Sequence, residues 1–336
     1  MAGTVSVTGG SGFIAGWCVV QLLERGYDVR TTVRDAAKEQ RVRDGIAGAQ
    51  PAADRLSFAV ADLNRDEGWD AAVAGCEYVL HVASPLGGGI PGDRNSLIAP
   101  ARDGTLRVLR AAAKAGIKRV VMTSAAAAAR PPLTTDRMSD ESIWSDPEDP
   151  QFDAYRVSKI LAERAAWDFM EREGGTTQLT TILPGAVFGP ILTAENLGSV
   201  QIIQGMLNGK PPALPRLGFW IVDVRDLADL HIRAMTASSA AGQRFIAAGD
   251  YMWMEDIART LRTELGEAGS KTPTRRLPDF VVRLLLPFAA NLRSLAPLLG
   301  RRFPLTSDKA RQTLGFRPRP PAAITVVDCA RSLLPV

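Results

Sequence analysis

The chain has 336 residues, 46% of them hydrophobic and 23% charged, with a formal net charge of +4. That is enough apolar material for one large or two modest domains, and no apolar run is long enough to span a bilayer, nor does a leader precede the first strand, so no membrane partner is expected. Three cysteines without paired spacing and only two histidines, His81 and His231, argue against a disulfide framework and a metal site and fit a reducing, cytoplasmic compartment. No basic, aromatic-interleaved stripe is present, so nucleic acid is not an expected partner.

In chain order, TVSVT (4–8) reads as a strand and runs into the turn GGSG and a helix from Gly12 to about Arg25. DVRTTV (28–33), LSFAVAD (56–62) and EYVLHVA (77–83) are further strands, followed by a helix over about 96–115 and the strand KRVVMTSA (118–125). Asp153 is placed to cap a helix that Gly174–Gly175 terminate, and LTTILPG (179–185) is the next strand. Near-continuous apolar strands alternating with helices predict an α/β chain built on a Rossmann-type doubly wound parallel sheet. After Pro184 the texture becomes Gly- and Pro-rich, then FWIVDVRDLADLHIRAM gives a strand and helix, and QRFIAAG (243–249) one more strand. The expected division is a dinucleotide-binding domain from 1–184 plus 218–249. A smaller, mostly helical substrate domain from 185–217 plus 250–336 would lie over the carboxyl edge of the sheet, where ligands of such folds sit.

Gly9-x-x-Gly12-x-x-Ala15, between a strand and an amphipathic helix, is the arrangement that lets backbone N–H groups meet a pyrophosphate at a helix N-terminus. Gly9, Gly12, Phe13 and Ile14 are the candidate contacts. After the second strand stands Arg34, with Lys38 and Arg41 further on; an arginine there suits a ribose 2′-phosphate and favours NADPH, while Asp35 keeps NAD open. Asp62 and Leu63, ending the third strand, could face the adenine. Tyr155 and Lys159 lie at i and i+4 on one helix and share a face. A lysine ammonium beside a phenol favours phenolate, which suits a proton donor for carbonyl chemistry. His81 and His231 read as structural. The apolar segment 277–302 reads as a lid or oligomer contact in preference to a membrane-surface helix, and Met252, Trp253 and Met254 are candidates to line an apolar pocket.

The segments VTGGSGFIAGW, TTVRD, HVASP, RVVMTS, YRVSK, PGAVFGP, VDVRDLADLH and KARQTLGFRP together resemble an extended short-chain dehydrogenase/reductase. They are most similar to the dihydroflavonol reductase and cinnamoyl-CoA reductase branch with its bacterial aldehyde and ketone reductases. The resemblance spans residues 5 to about 319. It implies Tyr155 as general acid, Lys159 as its modulator, Arg34 and Arg41 at the 2′-phosphate, and Ala83, Ser84 and Pro184 to Val187 along the nicotinamide. It departs from the branch at Ala125, where a serine that hydrogen-bonds the substrate carbonyl is usual. Successive strand residues face opposite ways, so Thr123 shares the side of Ala125, whereas Ser124 reaches the carbonyl only if the strand end shifts by one residue. Ser124 and Thr123 are therefore the alternative orienting hydroxyls. The implied activity is NADPH-dependent, reversible reduction of an apolar or aromatic aldehyde or ketone by a monomer or homodimer. A sugar-nucleotide epimerase or hydroxysteroid dehydrogenase on the same scaffold, and a non-catalytic NADP-binding regulator, are the alternatives.

Overall fold

The computed structural model describes residues 3–51, 53–85, 93–150, 152–193, 195, 197–285, 296–319 and 321–334. The strands are β1 Thr4–Val7, β2 Asp28–Val33, β3 Leu56–Val60, β4 Tyr78–His81, β5 Arg119–Thr123, β6 Gln178–Pro184, β7 Ala186–Phe188, β8 Leu214–Pro215, β9 Gly218–Asp223, β10 Gln243–Ala247, β11 Tyr251–Trp253 and β12 Arg276–Leu277. The helices are α1 Phe13–Glu24, α2 Glu39–Ala47, α3 Trp69–Val73, α4 Asn95–Lys114, α5 Ala154–Glu173, α6 Val200–Leu207, α7 Val224–Thr236, α8 Met254–Leu265, α9 Asp279–Leu285, α10 Asp308–Leu314 and α11 Ala322–Leu333. None of the described helices is long and apolar enough to cross a membrane.

Seven strands form the main sheet in the order β10-β6-β5-β4-β1-β2-β3, and every pairing in it is parallel. The chain reverses direction of build between β1 and β4, which opens a crevice beyond their carboxyl ends. Side chains alternate across the sheet as the pleat requires. Val121, Leu80, Val5 and Val7 pack toward α1 and α7 on one face, while Val120, Met122 and Val79 pack with α3, α4 and α5 on the other. Burying both faces explains why these strands read as apolar runs without an alternating pattern.

The strand in FWIVDV differs from its expected place. β9 does not join the main sheet but pairs with β7 and β11 in a separate three-stranded sheet. Its apolar composition marks it as a buried strand, and only long-range pairing decides which sheet takes it. Of the segment 218–249, β10 alone lies in the main sheet. The segment 277–302 lies partly outside the described residues. Its described helix α9 buries Val282 and exposes Phe280 and Leu284.

Candidate active site

The turn after β1 is fixed by backbone demands. Gly9 has φ +79°, and a Cβ there would come within 3.0 Å of the Ala83 Cβ, so neither conformation nor space admits a side chain. Gly9 N donates to Thr32 Oγ1 at 2.8 Å, and Gly10 N to the Thr32 carbonyl at 2.9 Å. Across the crevice the Thr8 hydroxyl accepts from the amides of Val82 and Ala83, at 3.1 and 2.9 Å. Gly12, the N-cap of α1, has no side chain to satisfy the first-turn amides, which leaves them available to an anion.

Beyond this turn lies a cavity of about 1060 Å³. Its lining includes Gly9, Gly12, Phe13, Ile14, Arg34, Asp62, Leu63, Ala83, Ser84, Thr123, Ser124, Tyr155, Lys159, Pro184 and Val187. Ala125 to Ala127 face it, while Ala128 and Ala129 are fully buried behind it. Arg34 is exposed on the rim and has no ion-pair partner among the described residues. Asp35, the residue that kept NAD open, spends its carboxylate capping the Ala37 amide. Arg41 departs from its expected role. Together with Lys38 it pairs with Glu195, at 2.5 and 2.8 Å, and it does not line the cavity. That carboxylate comes from a segment 154 positions away from Arg41 in the chain.

Tyr155 and Lys159 are one turn apart near the start of α5, which Asp153 caps by accepting from Arg156 N at 2.8 Å. Lys159 is buried and donates to the Thr123 carbonyl at 3.2 Å, while the Tyr155 hydroxyl faces the cavity without a hydrogen-bond partner among the described residues. The expected lowering of the phenol by Lys159 is not what dominates. Burial pushes Tyr155 up to about 12, Asp153 adding to the rise and Arg156 opposing it. Burial also draws Lys159 down to about 8, against the opposing pull of Glu163.

The strand-end hydroxyls diverge as alternation requires. Thr123 turns toward α7, where its hydroxyl lies 2.8 Å from His231 Nε2. The other nitrogen, Nδ1, lies 2.8 Å from the Leu227 carbonyl and must donate there, so Nε2 accepts from Thr123. Ser124 turns toward α5 and donates to Glu163 Oε2 at 2.6 Å. Either hydroxyl needs its proton to orient a carbonyl, and both protons are already engaged. Ser124 thus lines the cavity with its hydroxyl directed to Glu163.

Sequence reasoning missed the group that holds Ser124. Glu163, fully buried, also accepts from Thr181 Oγ1 at 2.7 Å and from Arg244 Nε at 2.9 Å. Arg244 in turn donates to the carbonyls of Glu141, Ile143 and Ala128 and lies 3.8 Å from the centre of the Trp144 ring. The signal was present in the four-residue step Tyr155, Lys159, Glu163. His81 and His231 are structural as expected. The Thr105 hydroxyl donates to the Ala101 carbonyl, so His81 Nε2 donates to Thr105 and Nδ1 accepts from Thr8. Met254 lines the cavity; Met252 and Trp253 do not, but the neighbouring Tyr251 does.

A parallel sheet with its ligand crevice at the switch between β1 and β4, a glycine turn and a Tyr/Lys pair over one cavity define an oxidoreductase of the dinucleotide-dependent type. The NAD dependent epimerase/dehydratase family model matches residues 5–248. A cinnamoyl-CoA reductase of Medicago truncatula is 38% identical over 252 residues, 72% of this chain and 75% of that protein. Dihydroflavonol 4-reductase of Arabidopsis thaliana is 35% identical over 272 residues, 79% of this chain and 70% of the other. Among solved structures, yeast methylglyoxal/isovaleraldehyde reductase complexed with NADPH superposes with a TM-score of 0.80 at 26% identity, covering 98% of both chains. The chain belongs to the NAD dependent epimerase/dehydratase family, the extended short-chain dehydrogenases/reductases, and is similar within it to the cinnamoyl-CoA and dihydroflavonol reductases.

Proposed function

We propose that this protein reduces an aldehyde or ketone to the alcohol with NADPH, on an apolar or aromatic substrate. The observation that carries the reading is the unpartnered Tyr155 hydroxyl, facing the same cavity as the uncapped glycine turn and Arg34. The turn, the first-turn amides of α1 and Arg34 fit a dinucleotide with a 2′-phosphate, held along Asp62, Leu63, Ala83, Ser84 and Pro184 to Val187. The bound cofactor supplies the hydride that reaches the carbonyl carbon. Tyr155 gives the proton to the carbonyl oxygen as the carbon–oxygen double bond becomes a single bond, and Lys159, charged in the same apolar wall, favours the phenolate that remains. Ser124, restrained by Glu163, shapes the wall without donating, so Tyr155 is the side-chain donor to the developing oxyanion. The first 184 residues and β10 would form the cofactor half, with the later segments closing the substrate half.

The test follows NADPH oxidation with a panel of aromatic aldehydes and ketones, beside NADPH binding by fluorescence. Turnover of at least one carbonyl is expected; binding without any turnover would leave a regulator. Arg34→Ala should raise KM for NADPH by about 10- to 100-fold, the equivalent of a charge-assisted hydrogen bond, and affect NADH little. Equal effects on the two cofactors would overturn the 2′-phosphate assignment.

A further inference from the structure

The described wall of the large cavity carries five cations, Arg34, Arg130, Arg156, Lys159 and Arg301, against two carboxylates, Asp62 and Asp153. Four of the five are accounted for. Arg34 lies at the cofactor end, and Lys159 donates to the Thr123 carbonyl. Arg156 pairs with Asp153 at 2.6 Å. Arg301 donates to the Leu133 carbonyl and pairs with Asp136. Arg130 differs. Its backbone amide and carbonyl both meet the Ser145 hydroxyl, at 2.7 and 3.0 Å, but its guanidinium makes no hydrogen bond or ion pair with any described residue.

A guanidinium carries five N–H donors, and leaving it desolvated without an acceptor is costly. Arg130 is nonetheless held in place. It follows the turn Ala126–Ala129, whose last two residues are buried, and its guanidinium lies 5.3 Å from the centre of the Phe303 ring, with Arg301 over the same ring at 4.6 Å. Burial draws it down to about 10, with Arg156 lowering it further and Asp149 and Asp153 opposing, so it remains cationic at neutral pH. Those last three residues place it beside the start of α5, where Tyr155 sits. The same cavity is lined by Phe219, Trp220, Tyr251 and Leu305, and the Trp220 ring N–H donates to the Phe303 carbonyl at 2.8 Å.

The geometry points to an anion-binding subsite at Arg130, which receives a carboxylate or phosphate borne by the carbonyl substrate. The substrate class is then an aromatic or apolar aldehyde or ketone that also bears an anionic group. Phe303 backs the guanidinium so that its N–H edge meets two oxygens at once. This assignment deepens the reductase reading and rests on it for the reaction, though not for the binding.

Two measurements separate the claims. In calorimetric titrations of the NADP⁺-loaded protein, benzoate or phenyl phosphate should bind at least about tenfold more tightly than benzamide. Arg130→Met should abolish that preference and Arg130→Lys retain part of it. Equal affinity for all three probes in the unaltered protein overturns the subsite. In NADPH oxidation, 4-formylbenzoate or 4-formylphenyl phosphate should exceed methyl 4-formylbenzoate in kcat/KM by at least about tenfold, with the better of the two identifying the anion. The ratio should fall toward one in Arg130→Met. A ratio of one in the unaltered protein, with turnover intact, overturns the subsite and leaves the reductase reading. Anion binding that depends on Arg130, without turnover of any carbonyl, supports the subsite and overturns the reductase reading.

Discussion

Tyr155 is pushed up to about 12 by burial, so at neutral pH the phenol holds its proton and enters the reaction as a donor. A donor that weak needs a positive charge to stabilise the phenolate it becomes, and Lys159 is the ammonium nearest along the helix. Tyr155→Phe keeps the ring and removes the hydroxyl, and with it the transferable proton. Its kcat should fall by roughly 100- to 10,000-fold while NADPH affinity changes by less than about threefold. Single-turnover kinetics beside cofactor titration would check this, and undiminished turnover would assign the proton to another group. The Ser124 hydroxyl stands in a different position, because it donates its hydrogen bond to the carboxylate behind it.

At the scale of one element, α5 carries the chemistry and its support on a single face. Tyr155, Lys159, Glu163 and Trp167 recur every four residues, which keeps them on one side of a helix. The charge state of Lys159 depends on what surrounds it. Burial draws it down, Glu163 from its own helix raises it, His81 on β4 is neutral, and the Thr123 carbonyl on β5 accepts from it. Arg244 on β10 stands beyond Glu163 with opposite sign. If reduction needs a charged Lys159, kcat/KM should decline above pH about 8. Glu163→Gln removes the carboxylate that raises Lys159 and should move that decline to lower pH. An unmoved profile would reduce Glu163 to a packing role. The same substitution leaves Arg244 buried without its carboxylate, which costs about 3–5 kcal/mol in chemical denaturation. A second change, Arg244→Met, should recover part of the loss by double-mutant coupling.

Across the whole molecule, two buried histidines join the layers in their neutral form. His81 ties β1 and β4 to α4 through Thr8 and Thr105, and His231 ties α7 to β5 through Thr123. Burial draws them down to about 3 and about 4, from 6.5. The unfolded chain therefore binds protons below pH 6.5 that the folded chain refuses, so their contribution is present above pH 6.5 and is lost as pH falls toward 4. The unfolding free energy should drop by on the order of 1 kcal/mol per pH unit for each histidine in that range. Urea denaturation at pH 7 and 5.5 measures it, and a midpoint indifferent to pH would show that neither histidine must stay neutral to keep the fold.

The sequence by itself determined what local chemistry dictates. Gly9 and Gly12 are read from the backbone's need to turn tightly, the parallel sheet from strands apolar on both faces, Asp153 from its capping chemistry, and the Tyr155/Lys159 pair from helical periodicity. Tertiary structure alone decided what depends on residues far apart in the chain. It placed β9 in a separate sheet and turned Arg41 to Glu195. It directed the Ser124 hydrogen bond to Glu163, whose partner Arg244 lies 81 residues away, and it left Arg130 in the cavity wall against Phe303 without a carboxylate. Backbone propensities and short-range spacing act within a turn or two, whereas pairing, desolvation and the direction of a hydroxyl are settled by whichever group the fold brings to the other side.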